Sequence, residues 1–164
     1  MSAPQLKILL DSHVWIDFFV PGRSGSATAT RLVRSAIEAN AELLYSSRVL
    51  DDLFYEIRRD AAEWVRASSG DMPKSAARLC HDYAWGCIED LNDIATAIGS
   101  DDADLQTALK LRSLSEDLDD NLMLAAAQRA GVDYLVTADR VLLNKATVAT
   151  LAPQDMLTVL QMGL

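Results

Sequence analysis

Residues 117–143 read DLDDNLMLAAAQRAGVDYLVTADRVLL, and this run decides the fold. A long apolar helix is predicted from Leu118 to about Ala130, and Gly131 is suited to cap its end in the left-handed conformation. Tyr134 to Thr137 is short and apolar, as expected of a strand covered on both faces, and Arg140 to Asn144 reads as a short helix. Three acids frame the unit. Asp117 and Asp120 stand at the start of the long helix, and Asp139 lies two residues beyond the strand.

The same alternation extends in both directions. Leu6 to Leu10 and Leu43 to Tyr45 are short apolar strand candidates, and Ile94 to Ile98 and Val148 to Leu151 are two more. Between them, Leu32, Val33, Ala36 and Ile37 mark an amphipathic helix over Ser26–Ala39. Ser46 and Ser47 can cap a second helix carrying Leu50, Leu53, Phe54, Ile57 and Trp64. Further helices are predicted from Pro73 to Leu91, from about Asp102 to Leu111 and from Pro153 onward. Short apolar strands alternating with helices imply an α/β fold with three layers, α/β/α. Its central sheet is mainly parallel, with four to five short strands. In such folds ligands sit at the carboxyl ends of the strands, so polar residues just past the strands carry the interest.

A chain of 164 residues, half of them hydrophobic, fits a single domain over residues 1–164 with a core that needs no staples. No apolar run approaches the roughly 20 residues of a membrane span, and the first residues lack a secretion signal, so the expected location is cytoplasmic, with no membrane partner. Cys80 and Cys87 lie seven residues apart in a predicted helix, roughly 10 Å along its axis, too far for a disulfide. They read as small buried apolar side chains. Fifteen basic against twenty-four acidic residues give a formal charge of −9, so any nucleic acid must be held by local rather than bulk charge.

Asp11 follows the first strand, Asp139 follows the fourth, and Asp120 opens the helix that leads into it; Asp52 stands in the first turns after the second strand. Singly, each acid has an ordinary alternative as a turn, cap or first-turn charge. Gathered at one sheet edge, carboxylates about 5 Å apart repel by roughly 3 kcal/mol per pair at an effective dielectric near 20, which calls for a cation or protons. Oxygen ligands without Cys or a neighbouring His favour Mg2+ or Mn2+ over zinc. An aspartyl phosphatase would need a second Asp where His13 stands, and neither a Walker lysine loop nor a G-x-G-x-x-G segment follows any strand.

Together with ILLDSHVWIDFF (residues 8–19) and LLYSSRVLDDLFYEIRR (residues 43–59), the run at 117–143 resembles the PIN-domain family, in particular the VapC-like toxin ribonucleases of type II toxin-antitoxin systems. The resemblance implies a metal-dependent endoribonuclease with Asp11, Asp52, Asp120 and Asp139 as catalytic acids and Asp11, Asp120 and Asp139 as the metal ligands. The family's fourth acid is usually Glu, six residues beyond a strand-end Ser. Counting from Ser46 reaches Asp52, with Glu56 one turn further as the competitor. Asp117 would support the site from its rim. His13, where many relatives carry Asn, would hold a phosphate or orient a carboxylate, or serve packing or the surface.

Basic residues that could meet RNA are Arg23, Arg31, Arg34, Arg48, Arg58, Arg59, Arg140 and Lys145. Arg48 and Arg140 stand out because they lie in strand-to-helix segments at the metal edge. The resemblance also implies a homodimer and an inhibitory antitoxin, with Trp15, Phe18 and Phe19 shared between core and contact surface. A different class remains open: a PIN-like scaffold that binds RNA or protein without cutting.

Overall fold

A computed structural model describes residues 4–163. Five strands, β1 (Lys7–Leu10), β2 (Glu42–Ser46), β3 (Thr96–Ile98), β4 (Tyr134–Val136) and β5 (Thr150–Leu151), form one sheet in the order β3-β2-β1-β4-β5. Every pairing is parallel. Eight helices connect or follow them: α1 (Ser12–Phe19), α2 (Ser26–Glu38), α3 (Leu50–Ser69), α4 (Lys74–Ile94), α5 (Asp102–Lys110), α6 (Leu118–Ala130), α7 (Arg140–Lys145) and α8 (Pro153–Gln161). Two 3-10 turns, Ser47–Val49 and Leu111–Ser113, precede α3 and follow α5.

The two-residue period of the strands sorts their side chains into two cores. Ile8, Leu10, Leu43, Tyr45 and Val136 face a layer made by α1, α2, α3, α4 and α8, with Trp15, Leu32, Leu53 and Met156 at its centre. Leu9, Leu44, Leu135 and Ile98 face the other way, onto Leu124 and Ala127 of α6 and Leu142 of α7. The register places Leu9 beside both Leu44 and Leu135, so the second core runs unbroken across three strands.

The alternation of strands and helices matches the sequence-based expectation, with differences at the ends. Residues 12–19 form a helix that the sequence left unassigned, because three aromatic residues and Val14 and Ile16 within eight positions mask its period. Trp15 and Phe19 are buried in the core, and Phe18 packs against it. Ile94 ends α4 instead of starting a strand, and the last strand is confined to Thr150–Leu151. Cys80 and Cys87 are buried free thiols, as expected.

Strand order, more than strand content, positions the acids. From β1 the chain moves to β2 and then β3 on one side, and it returns through α5 and α6 to β4 on the other side of β1. The crevice between the carboxyl ends of β1 and β4 is therefore the topological switch point of the sheet. Leu135 is fully buried in β4, beside this crevice. Leu135→Ala is expected to lower the unfolding free energy by about 2–5 kcal/mol, measured by urea titration with an unchanged denaturant slope.

Candidate active site

Asp11 leaves β1 as the N-cap of α1, and its backbone N–H donates to the Val136 carbonyl at 3.0 Å, extending the β1–β4 ladder by one residue. Its Oδ1 accepts from the Ser12 N–H at 2.6 Å, and its Oδ2 accepts from the Thr137 hydroxyl at 2.7 Å. Thr137 is fully buried, and its Oγ1 also accepts from the Asp139 N–H at 3.0 Å. One hydroxyl therefore ties the acid of β1 to the acid beyond β4.

Asp139 caps α7, with Oδ1 accepting from the backbone N–H groups of Val141 and Leu142. Asp117 caps α6 in the same way, through Asp119 and Asp120. Its loop is braced from below: Asn121, buried, donates from Nδ2 to the Ser115 carbonyl at 2.8 Å, while the Ser115 hydroxyl accepts from the Asp117 N–H. The ordinary capping role of these acids and their gathering at one edge thus occur together. N-terminal N–H groups favour negative charge, so three helix starts offset part of the repulsion between their caps.

Asp120 does not cap a helix, and it carries the electrostatic consequence. Burial, then Asp117, Asp139, Asp11 and Asp119 in falling order, push its carboxyl up to about 6. Asp11, Asp117 and Asp139 therefore all act on Asp120. Among the described residues, however, no three or more His, Cys, Asp or Glu side chains stand close enough to hold a metal ion as arranged. The two facts are compatible: Coulomb repulsion acts over several ångströms, whereas Mg2+–oxygen bonds are about 2.1 Å long, and the carboxylates of Asp11, Asp117 and Asp139 are held against backbone N–H groups.

A pocket of about 510 Å³ opens here, and Asp117, Asp120 and Asp139 line it together with Ser115, Arg112 and Lys145. Asp52 and Glu56 lie outside this group. Asp52 is exposed on α3, and the Glu56 carboxylate pairs with Arg59 on the same helix. His13 is exposed on the first turn of α1. Arg48 is paired with Asp119 at 2.6 Å, and Arg140 is exposed at the start of α7, outside the pocket lining.

A family model described as "PIN domain" matches residues 7–141. The chain belongs to the PIN-domain family. No curated protein matches its sequence. Among solved structures it is similar to VapC20 of Mycobacterium tuberculosis, described as a sarcin-ricin-loop-cleaving toxin, at 14% identity and a TM-score of 0.55, covering 78% of this chain and 86% of that one. It is also similar to PAE2754 of Pyrobaculum aerophilum, at 16% identity and a TM-score of 0.59, covering 96% and 90%. These likenesses confirm the PIN-like three-layer architecture.

Sequence reasoning did not single out the bridging hydroxyl of Thr137, the brace of Asn121 or the place of Arg112 in the pocket wall. The T-x-D spacing at 137–139 was the available signal for the first, since a threonine hydroxyl two residues before a helix cap can accept from that cap's N–H. Asp120 generates a testable pH dependence. Its ionised form is disfavoured on folding, so the native state binds this proton more tightly than the unfolded chain does. Stability therefore falls as pH rises from about 4 to about 6, and the full penalty remains above that range. In the presence of EDTA, Asp120→Asn is expected to raise the unfolding free energy near pH 7 by about 1–3 kcal/mol, a gain that disappears near pH 4 in chemical denaturation.

Proposed function

We propose that this PIN domain is a divalent-metal-dependent endoribonuclease that hydrolyses RNA phosphodiester bonds and serves as the toxin of a type II toxin-antitoxin pair. The crowding of Asp11, Asp117 and Asp139 around Asp120 at the switch point carries this reading. The donors fit a hard cation in kind, being carboxylate oxygens without Cys or His, and they fit Mg2+ or Mn2+ better than a softer ion. Asp11, Asp120 and Asp139 would hold the ion. A bound ion would supply positive charge to the phosphate oxygens and lower the pKa of a water molecule.

The chain's own residues supply the rest. Thr137 fixes Asp11 against the Asp139 backbone, which keeps two of the three ligands in register. Asp117, in the pocket lining, joins Asp52 and Glu56, which the sequence offers, as a candidate for the fourth acid. Carboxylate oxygens of Asp117 and Asp120 stand in the same pocket to accept the proton of the attacking water. A homodimer, an inhibitory antitoxin protein, a single domain over residues 1–164 and a cytoplasmic location belong to the same reading. Among the described residues no helix is long and apolar enough to cross a membrane.

One observation favours a second reading, a scaffold that binds RNA or protein without cutting: no three acids of the described residues close around a metal position as arranged. RNA cleavage assayed with Mg2+ or Mn2+ separates the two. The nuclease is expected to cut only with the ion, and Asp11→Asn, Asp120→Asn or Asp139→Asn to lower the rate by more than about 100-fold, beyond the loss typical of outer-shell partners. Asp117→Asn is expected to cost more than about tenfold, and Asp52→Asn or Glu56→Gln less. Absence of cutting, with a melting temperature indifferent to either ion, would support the scaffold and reject the nuclease.

A further inference from the structure

We infer that Arg112 and Lys145 form a phosphate clamp, holding the backbone of a single RNA strand on the two sides of the phosphate that lies over the acids. The inference rests on the reading of this pocket as an RNA site. Arg112 comes from the 3-10 turn before α6 and Lys145 from the end of α7, and both line the pocket that Asp117, Asp120 and Asp139 also line. Asp139 caps the helix that Lys145 ends, and six residues at 1.5 Å each place the two about 9 Å apart along the axis.

A polyanion cannot settle over several carboxylates on a chain of net charge −9 unless nearby cations compensate. Arg112 and Lys145 are the basic side chains that line the pocket, and several other arginines are engaged elsewhere. Arg23 bridges Asp17 and Asp60, Arg48 holds Asp119, Arg59 holds Glu56 and Asp60, and Arg129 holds Asp104. Lys145 enters no ion pair among the described residues, and Arg112 makes only an exposed 3.4 Å contact with Glu116 one turn along. Exposed pairs of that kind contribute little to stability, so a phosphate can displace Glu116. The planar guanidinium of Arg112 suits two-pronged contact with phosphate, and the flexible ammonium of Lys145 suits point contact.

The test is binding of a fluorescein-labelled single-stranded RNA, measured across a range of salt in an Asp120→Asn background that does not cut. Arg112→Gln and Lys145→Gln are each expected to weaken binding several-fold and to reduce the slope of log affinity against log salt by about 0.7, the double variant by about 1.4. Arg66→Gln, in the last turn of α3, removes the same charge away from the pocket and is expected to leave the slope unchanged. Equal effects of Arg66→Gln and the pocket variants overturn the clamp, as does a parent that binds no RNA. Cleavage by the wild-type chain with unaltered slopes in the pocket variants rejects the clamp alone. Slopes that fall as expected in a chain that never cuts support the clamp and reject the nuclease.

Discussion

Capping is the constraint on which the site depends. An α-helix start presents N–H groups without intrahelical partners, and Asp satisfies them at the start of α1, α6 and α7. Because β1 and β4 are neighbours, the caps of α1 and α7 lie on either side of one crevice, and α6 delivers Asp117 and Asp120 to it. The local chemistry of three helix ends thus produces a long-range result, negative charge concentrated at one point of the surface. The helices tolerate their own caps, and Asp120 bears the excess.

The strand and helix sequence was legible because the strands are nearly all apolar and the helices keep a clear period. Gly131 marked the end of α6 correctly, with a φ of 64°. Helix α1 was hidden by aromatic and branched residues that serve the core, Trp15 and Phe19 among them. Asp11, Asp120 and Asp139 drew notice because Asp11 directly follows a strand, Asp139 lies shortly beyond one and Asp120 stands in the first turn of a helix. Their common neighbourhood was not, since it requires the strand order, which local patterning does not encode. Counting along the chain pointed to Asp52, which stands exposed on α3, while Asp117, the cap of α6, lies in the pocket wall. Arg48 stood out by its place after β2, yet its partner Asp119 lies 71 residues away and could not be read locally.

The charge distribution follows a similar logic. Several arginines are used inside the protein to tie elements together. Arg129 joins the start of α5 to the end of α6 through Asp104, which is 2% exposed and whose carboxyl the guanidinium holds below the ordinary range. Arg23, in the segment after α1, joins α1 to α3 through Asp17 and Asp60. A count of basic residues therefore overstates what is free to meet a phosphate, and the small cationic contribution at the pocket carries more weight than the total.

The central claim is that burial and, after it, repulsion from Asp117, Asp139 and Asp11 at the β1–β4 crevice raise the Asp120 carboxyl well above the ordinary range, and that a divalent ion relieves the repulsion. The most direct measurement is a carbon-13 NMR titration of the Asp120 side-chain carboxyl, first in EDTA and then with Mg2+. A midpoint of about 6 without the ion, moving down when it is added, is expected. A midpoint at the usual aspartate value, about 3.9, unmoved by Mg2+, would contradict the account.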